Sequence, residues 1–522
     1  MVAEIKAEIE TDVVTGTDDV IGTDVVIAGA GPTGLTLACE LALAGVETLV
    51  LEALPARIEQ VKGGGIQPRT AELLESRGLL EQILRSATPR DPVGGHFATL
   101  PVPLDNTAWN TRHPIPIAVP QWKVEEVLEQ RAIADGARVL RGAAVSGVES
   151  DDHGVTVTAE NGLRVRARYL AACDGGRSTI RKLLALPFPG KPGTNPSVLA
   201  EIRLSAVSAS VPKQAGHIST MMRRAGGYWA LLVPTGGDDR YRFTFGRSGE
   251  TDIDRDVPVT REEIATALQV LHGDETVLDA VVHSSRFTDA TRQLEYYRVG
   301  RVLFAGDAAH IHPPLGGQGL NLGMQDAFNL GWKLAATVQG RAPSGLLDTY
   351  HAERHPVGAR VLQHTSAQRV LAELDPSGDV IALREIFIDL LRLPDTNRYL
   401  AGLMSGLSLR YPPPGEHPLI GLRMPDLDLV TETGPVRFST LLRSGHAVLL
   451  DLAGAVPADV RPPAHVDLVR ATCRDDLGAD DLKAAAVLVR PDGYVSWAAR
   501  GFKVAELIAA IDAVEVADVV QR

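Results

Sequence analysis

Val25-Val26-Ile27-Ala28-Gly29-Ala30-Gly31-Pro32-Thr33-Gly34-Leu35 decides the fold of this chain. Val25 to Ala28 is a short, largely β-branched run, as a buried parallel strand requires. Gly29, Gly31 and Gly34 follow in the spacing of a dinucleotide fingerprint, and Leu35 to Ala44 reads as a helix stopped by Gly45. The three glycines do different things. Gly29 makes the tight turn, Gly31 admits a pyrophosphate, and Gly34 lets the helix pack closely on the strand. The helix start offers unpaired N–H groups and a positive dipole end to phosphate. Pro32 suits that start, where no backbone donor is needed, and Thr33 completes the loop. A second apolar run, Thr48 to Leu51, ends at Glu52, eighteen residues past Gly34 and just before Ala53. That is where an acid takes the ribose hydroxyls of a bound dinucleotide. An incidental glycine-rich turn would lack this strand, turn, helix and strand order.

Upstream, residues 1–21 carry six acids against Lys6 alone and read as a solvated, flexible tail. Within it, Thr11-Asp12-Val13-Val14 echoes Thr23-Asp24-Val25-Val26, with no fingerprint behind it. Downstream, Thr70–Ser76 and Val124–Ala134 are expected as helices, and Val155–Thr158 and Val165–Leu170 as strands. From Val198 to Phe245 the chain turns strand-rich and holds Tyr228, Trp229, Tyr241, Phe243 and Phe245, although only 5% of the sequence is aromatic. Tyr241, Phe243 and Phe245 alternate with Arg242 and Thr244 and so share one strand face. They either wall a site or form ordinary core, and both readings stay open. A long helix is expected from Leu320 to about Val338, a linker at Tyr411-Pro412-Pro413-Pro414-Gly415, strands at Ala447–Leu450 and Ala486–Val489, and a closing helix over Val504–Val514.

Composition narrows the function classes. The 522 residues suffice for about three domains. Fifty-two basic against 65 acidic residues give a net charge of −13, which argues against a nucleic-acid partner. Cys39, Cys173 and Cys473 lie far apart without metal-ligand spacing and fit a reducing cytoplasm. No apolar stretch is long enough to cross a bilayer, and the acidic N-terminus is unlike a secretory leader. A cytoplasmic monomer or homodimer without a membrane partner is expected, and no metal site.

Two later segments carry more information. Cys173-Asp174-Gly175-Gly176-Arg177-Ser178 follows the strand-like Tyr169–Ala172, and Gly306-Asp307-Ala308-Ala309-His310 runs into Pro313-Pro314-Leu315-Gly316-Gly317-Gln318-Gly319-Leu320-Asn321. With the fingerprint, in this order, they resemble the class A FAD-dependent aromatic monooxygenases of the para-hydroxybenzoate hydroxylase fold family, in particular the aromatic polyketide hydroxylases. The resemblance implies an α/β fold: a Rossmann-like FAD-binding domain over 22–195 and 290–407, interrupted by a substrate-domain excursion at about 97–117. A substrate-binding β-sheet domain would cover 196–289, and a thioredoxin-like domain 415–522. It implies that Glu52 binds the adenosine ribose and Asp307 the ribityl chain, with Gly306 allowing close approach. Gly316 to Asn321, with Gly317, Gly319, Leu320 and Asn321 as the named candidates, would place backbone donors at the flavin pyrimidine edge, and Pro314 is a further cofactor-binding candidate. Asp174 would serve both FAD and the nicotinamide cofactor, and Gln121 would lie near the flavin phosphates. For Asp174 and Asp307 the competing role is a helix cap or turn. Where Lys62 stands, the family commonly has arginine. Lysine keeps the charge but loses the planar fork, so Arg69 carries more weight, and Lys62 is equally readable as a solvated loop residue.

The same resemblance implies NADPH or NADH as co-substrate, dioxygen, and a flavin C4a-hydroperoxide that hydroxylates a polycyclic aromatic polyketide in antibiotic biosynthesis. Trp229, Tyr228, Tyr241, Phe243, His217 and Pro313 are substrate candidates, and His96 and His113 are further ones. His310 and His312 flank the glycine-rich loop as flavin neighbours. No residue stands out as a catalytic base. Baeyer–Villiger oxygen insertion and oxidative inactivation of an aromatic antibiotic stay open, and so does a non-catalytic flavoprotein that sequesters one. The halogenase segment Trp-x-Trp-x-Ile-Pro is not found. The C-terminal region holds Cys473 without a Cys-x-x-Cys pair, so a dithiol role is not expected there.

Overall fold

The computed structural model describes residues 20–514 apart from 60–62, 89–92, 236–238, 252, 255, 374, 413–414 and 475–481. Residues 1–19 of the expected tail, its Thr11 echo and Lys62 lie outside the described residues, whereas Val20 and Ile21, expected in the tail, already belong to the first strand. The central layer is an eight-stranded sheet. Its parallel part places β1 (Val20–Ala28) between β2 (Thr48–Glu52) and β6 (Arg164–Ala172). β3 (Arg138–Arg141) extends it beyond β2, while β4 (Val145–Ser150) and β5 (Val155–Ala159) form a hairpin whose second strand pairs with β6. Because Val25, Val26 and Ile27 are fully buried, β1 shows no alternation where it lies at the sheet centre, as a strand covered on both faces should. Helix α1 (Pro32–Leu43) leaves the C-terminal end of β1, and α2 (Pro68–Ser76) and α3 (Gln121–Ala134) follow before β3.

A second, five-stranded antiparallel sheet holds β7 (Pro196–Ala206), β8 (Met222–Ala225), β9 (Tyr228–Pro234), β10 (Arg240–Arg247) and, after helix α4 (Arg261–His272), β11 (Val277–Thr288). Ala230, Leu232, Phe243, Phe245 and Ile202 bury one face of it against Ile264, Leu268 and Leu271 of α4. The chain then returns to the first sheet through β12 (Arg298–Val299) and β13 (Val302–Phe304), the latter parallel to β6. Next comes α5 (Gly319–Val338), a 20-residue helix buried along nearly its whole length. Helices α6 (Thr349–Leu371), α7 (Gly378–Leu391) and α8 (Pro394–Ser405) complete this part. Phe97, Leu100 and Leu104 pack against α6, α7 and α8.

The C-terminal sheet has the order β15 (Gly434–Arg437), β14 (Asp428–Thr431), β17 (Val466–Cys473), β16 (Ala447–Asp451), β18 (Ala486–Val489) and β19 (Val495–Ala499), followed by α9 (Val504–Asp512). β16 and β17 run parallel and the other pairs antiparallel. This sheet is wired to the rest of the molecule by buried charge. Arg490 donates to both oxygens of Glu353 at 2.7 and 2.8 Å, and Lys333 reaches the same carboxylate at 2.8 Å. Arg77 forms a two-pronged pair with Glu40 at 2.8 Å and also donates to the carbonyls of Leu442 and Pro491.

Candidate active site

The fingerprint loop is shaped by what its glycines leave out. Gly29 has a φ of +101°, and a Cβ there would lie 2.5 Å from the Cys173 carbonyl oxygen. A Cβ on Gly34 would overlap the Gly29 carbonyl oxygen. At Gly31, by contrast, a Cβ would meet no protein atom within 4 Å. That open space lies directly before α1, whose first residue is Pro32 and whose start has no side-chain cap. An uncapped helix N-terminus facing open space is what an anionic pyrophosphate requires. Glu52 sits at the end of β2, where its carboxylate accepts from the N–H groups of Ala30 at 2.7 Å and Leu54 at 2.9 Å. Ala53 is exposed beside it.

The Gly306 segment meets this loop through a second set of missing side chains. Gly306 has a φ of +61°, and a Cβ there would lie 2.6 Å from Thr33 Oγ1. A Cβ on Gly323 of α5 would overlap the same hydroxyl and lie 3.1 Å from Gly306 Cα. Small residues therefore set the approach of α5 to α1. Asp307 is exposed in the turn Gly306–Ala308, and its Oδ1 lies 3.8 Å from where a Gly319 Cβ would stand. Gly319 opens α5, again without a side-chain cap, so its first turn offers donors to an anion.

The loop around Lys62 is tied down on its described side. Asn321 accepts from the Gln67 N–H at 2.7 Å and donates to the carbonyls of Gly65 at 2.9 Å and Gly317 at 3.0 Å. Gln67 donates to the Gly316 carbonyl at 3.0 Å. The Asn321 side chain thus fastens two loops, while Gln121 and Leu320 both close on Gly63. Gln121 Nε2 is held by Glu125 at 2.8 Å. Asp174 accepts from the Ile180 N–H at 3.1 Å, which is a capping role, yet its Oδ1 is buried with no partner. A buried acceptor left over after capping fits a ligand hydroxyl. Taken together, the open Gly31 position, the two uncapped helix starts, exposed Asp307 and the spare Asp174 oxygen suit a dinucleotide with a polyhydroxyl chain.

A buried network beneath the site escaped sequence reading. Asp326 accepts from the Gly306 N–H at 3.1 Å, His310 Nε2 at 2.7 Å and Arg354 Nε at 2.7 Å, and Arg354 in turn donates to the Tyr411 hydroxyl at 3.1 Å. Burial pushes the Asp326 carboxyl up, but Arg354 and His310 outweigh it and hold it below the usual carboxylate range. Asp326, the one acid of α5, was the available signal. His312 donates from Nδ1 to the Pro313 carbonyl at 2.8 Å, which leaves Nε2 a buried lone pair beside Gly319, and burial lowers its pKa to about 4.

Three expectations change. The Arg69 guanidinium does not serve the flavin site: it pairs with Glu72 at 2.9 Å, donates to the Asp492 carbonyl at 2.9 Å and lies 4.7 Å over the Tyr494 ring. Tyr241 and Phe243 do not face a ligand, because they are 4% and 0% exposed in the core under α4, with Phe245 beside them. Alternation then puts Trp229, Leu231 and Val233 on the opposite, half-buried face, where Trp229 lies over Gly246. Tyr228 packs at the edge of the covered core under the Arg247 guanidinium. His113 bonds Glu75 far from this sheet, next to Arg437 of the C-terminal part. His96 and His217 do meet, with ring centroids 6.5 Å apart, and burial lowers the pKa of His96 to about 4. Pro313 is buried and Pro314 exposed on the glycine-rich loop.

Residues 22–365 match the FAD binding domain family, and residues 417–515 match the aromatic-ring hydroxylase C-terminal family. The chain belongs to the FAD binding domain family. Its fold is shared with solved relatives. An anhydrotetracycline hydroxylase from Streptomyces rimosus superposes with a TM-score of 0.84 at 45% identity, covering 95% of this chain and 99% of that protein. A 12-dehydrotetracycline 5-monooxygenase/anhydrotetracycline 6-monooxygenase from the same species is 48% identical over 91% of this chain and 95% of its own length. A rifampicin monooxygenase from Streptomyces venezuelae is 42% identical over the same shares. This member of the family is an FAD-dependent monooxygenase, and its C-terminal sheet is the domain that accompanies the aromatic-ring hydroxylases. Among the described residues, no helix is long and apolar enough to cross a membrane, and no cluster of side chains could hold a metal ion.

Proposed function

We propose that the enzyme hydroxylates a polycyclic aromatic polyketide of the kind made in antibiotic pathways, consuming NADPH or NADH. The observation that carries this reading is the half-buried face of the second sheet, with Trp229, Leu231 and Val233 forming an apolar strip along β9. A planar fused-ring substrate suits such a strip, with Trp229 available for stacking. When bound, the flavin supplies the activation of dioxygen, and the chain orients, shields and neutralises.

The residues divide that work. The starts of α1 and α5 face the cofactor's anionic groups, Glu52 and Asp307 take ribose and ribityl hydroxyls, and Asp174 offers its spare oxygen. Gln121 and the Gly63–Gly65 backbone border the phosphates. The Asp326, His310 and Arg354 network holds the Gly306 turn rigid, which keeps Asp307 in register. His96, His217 and His312 stay neutral near pH 7 because of burial, so they offer hydrogen bonds without placing a cation in the chamber. The relatedness to monooxygenases of anhydrotetracycline and of rifampicin supports either a biosynthetic or an antibiotic-inactivating substrate of this class.

The test is turnover on a panel of anhydrotetracycline, angucycline and rifampicin substrates, with NADPH and NADH compared and products weighed by mass spectrometry. A gain of one oxygen on one polycyclic member is expected. Insertion of that oxygen next to a ring ketone, with ring expansion, would replace hydroxylation by the Baeyer–Villiger reading.

A further inference from the structure

Polar side chains share this face of the sheet with the apolar strip of β9. The strand register aligns Val233, Arg242, Glu201 and His283 across β9, β10, β7 and β11, all on the face turned away from α4. Arg242 reaches beyond its sheet: a Cβ on Gly64 would lie 2.9 Å from its Nη1. Gly64 belongs to the loop that Asn321 and Gln67 fasten to the glycine-rich segment, so Arg242 stands where the sheet meets the cofactor site. Glu201 beside it keeps Oε2 buried with no partner. Trp229, with Arg224 of β8 opposite it, lies four residues along β9 from Val233, about 13 Å at 3.3 Å per residue, room for a fused-ring skeleton between Trp229 and the Arg242 and Glu201 pair.

We propose that Glu201 and Arg242 form an anchoring subsite that reads the acidic enol edge of the polycyclic substrate and so decides which ring is presented to the flavin. The proposal deepens the substrate class proposed above and rests on it. A β-dicarbonyl enolate offers two coplanar oxygens, which match the guanidinium fork, and its neighbouring hydroxyl can donate to the spare Glu201 oxygen. Burial lowers the Arg242 pKa only to about 10, so the cation persists near pH 7. Burial raises the Glu201 carboxyl, with Arg240 and Arg242 pulling against it and Glu59 adding to it. Arg242 would bind the substrate as the anion.

The test uses the FAD-loaded enzyme at saturating FAD, titrated with two probes and followed by flavin difference absorbance. Anhydrotetracycline carries the acidic dicarbonyl edge; hydroxyanthraquinone lacks it. Arg242→Gln should weaken anhydrotetracycline binding by about 10- to 100-fold, with Arg242→Lys in between and Glu201→Gln weaker by at least about threefold. Hydroxyanthraquinone binding should change by less than about threefold in every variant. Variants that bind anhydrotetracycline as tightly as the parent, or that lose both probes equally, would overturn the subsite alone. A parent enzyme that holds FAD but binds neither probe would overturn the substrate class, and the subsite with it.

Discussion

At the scale of single residues, the fingerprint glycines separate folding from binding. Gly34 has no room for a methyl group, since its Cβ would overlap the Gly29 carbonyl, whereas the Gly31 Cβ would enter space free of protein. Gly34→Ala should therefore lower the melting temperature and expression, while Gly31→Ala should fold normally and lose FAD. Equal thermal stability of the two apoproteins would contradict this division. Asp307 offers a second check. Its removal leaves ribityl hydroxyls without a charge-assisted partner, worth about 1.5–3 kcal/mol. Asp307→Ala should weaken FAD by about one to two orders of magnitude in a fluorescence titration, and unchanged occupancy at nanomolar protein would remove Asp307 from the site. Position in the sequence was enough to single out Gly31, which borders space free of protein, and Asp307, which is exposed in its turn. It was not enough for Arg69, whose partners Asp492 and Tyr494 come from more than 400 residues away and fall in no local motif.

At the scale of elements, the site depends on how closely α5 lies on α1. Gly323 and Gly331 make that seam, against Thr33 and Gly306 and against Glu40. Gly323→Val should overpack it by about 1–3 kcal/mol and loosen FAD as the Gly306 turn shifts. Adding Thr33→Ala removes the hydroxyl in conflict and should recover part of both losses; no recovery in the melting curve would refute the seam. The helix itself was legible, because an apolar run beginning in a glycine-rich loop and ending near Val338 leaves few alternatives. Which face of a strand meets a ligand was not. Tyr241, Phe243 and Phe245 alternate perfectly, but alternation reports that a face is apolar and is silent on whether a helix or a ligand covers it. Here α4 covers it, and the face proposed for the ligand is the opposite one, which carries Trp229 and Arg242.

At the scale of the whole molecule, buried ion pairs that no linear motif announces tie the C-terminal sheet to the rest, and buried histidines add a pH dependence. Burial lowers His96, His312 and His364 to about 4, against an ordinary value of 6.5. An unfolded chain takes up those protons as pH falls through about 6.5 while the folded one does not, so stability should decline between about pH 6.5 and 4. Melting temperatures of the apoprotein measured from pH 7 to 5 should fall steadily, and a His364→Gln variant should fall less steeply. A flat profile would mean that these imidazoles are not held neutral. The order of motifs along the chain was enough to read the architecture, because each motif is a strand end joined to a helix start. The partners that lock the sheets together, such as Arg490 with Glu353, became visible only in three dimensions. The most direct test of the central claim is turnover of anhydrotetracycline and its polycyclic relatives by the FAD-loaded enzyme under heavy-oxygen-labelled dioxygen with NADPH. The account predicts one labelled oxygen atom on the product ring for each nicotinamide oxidised in coupled turnover. Product carrying oxygen from water, or substrate returned unchanged across the panel while the bound flavin cycles, would contradict it.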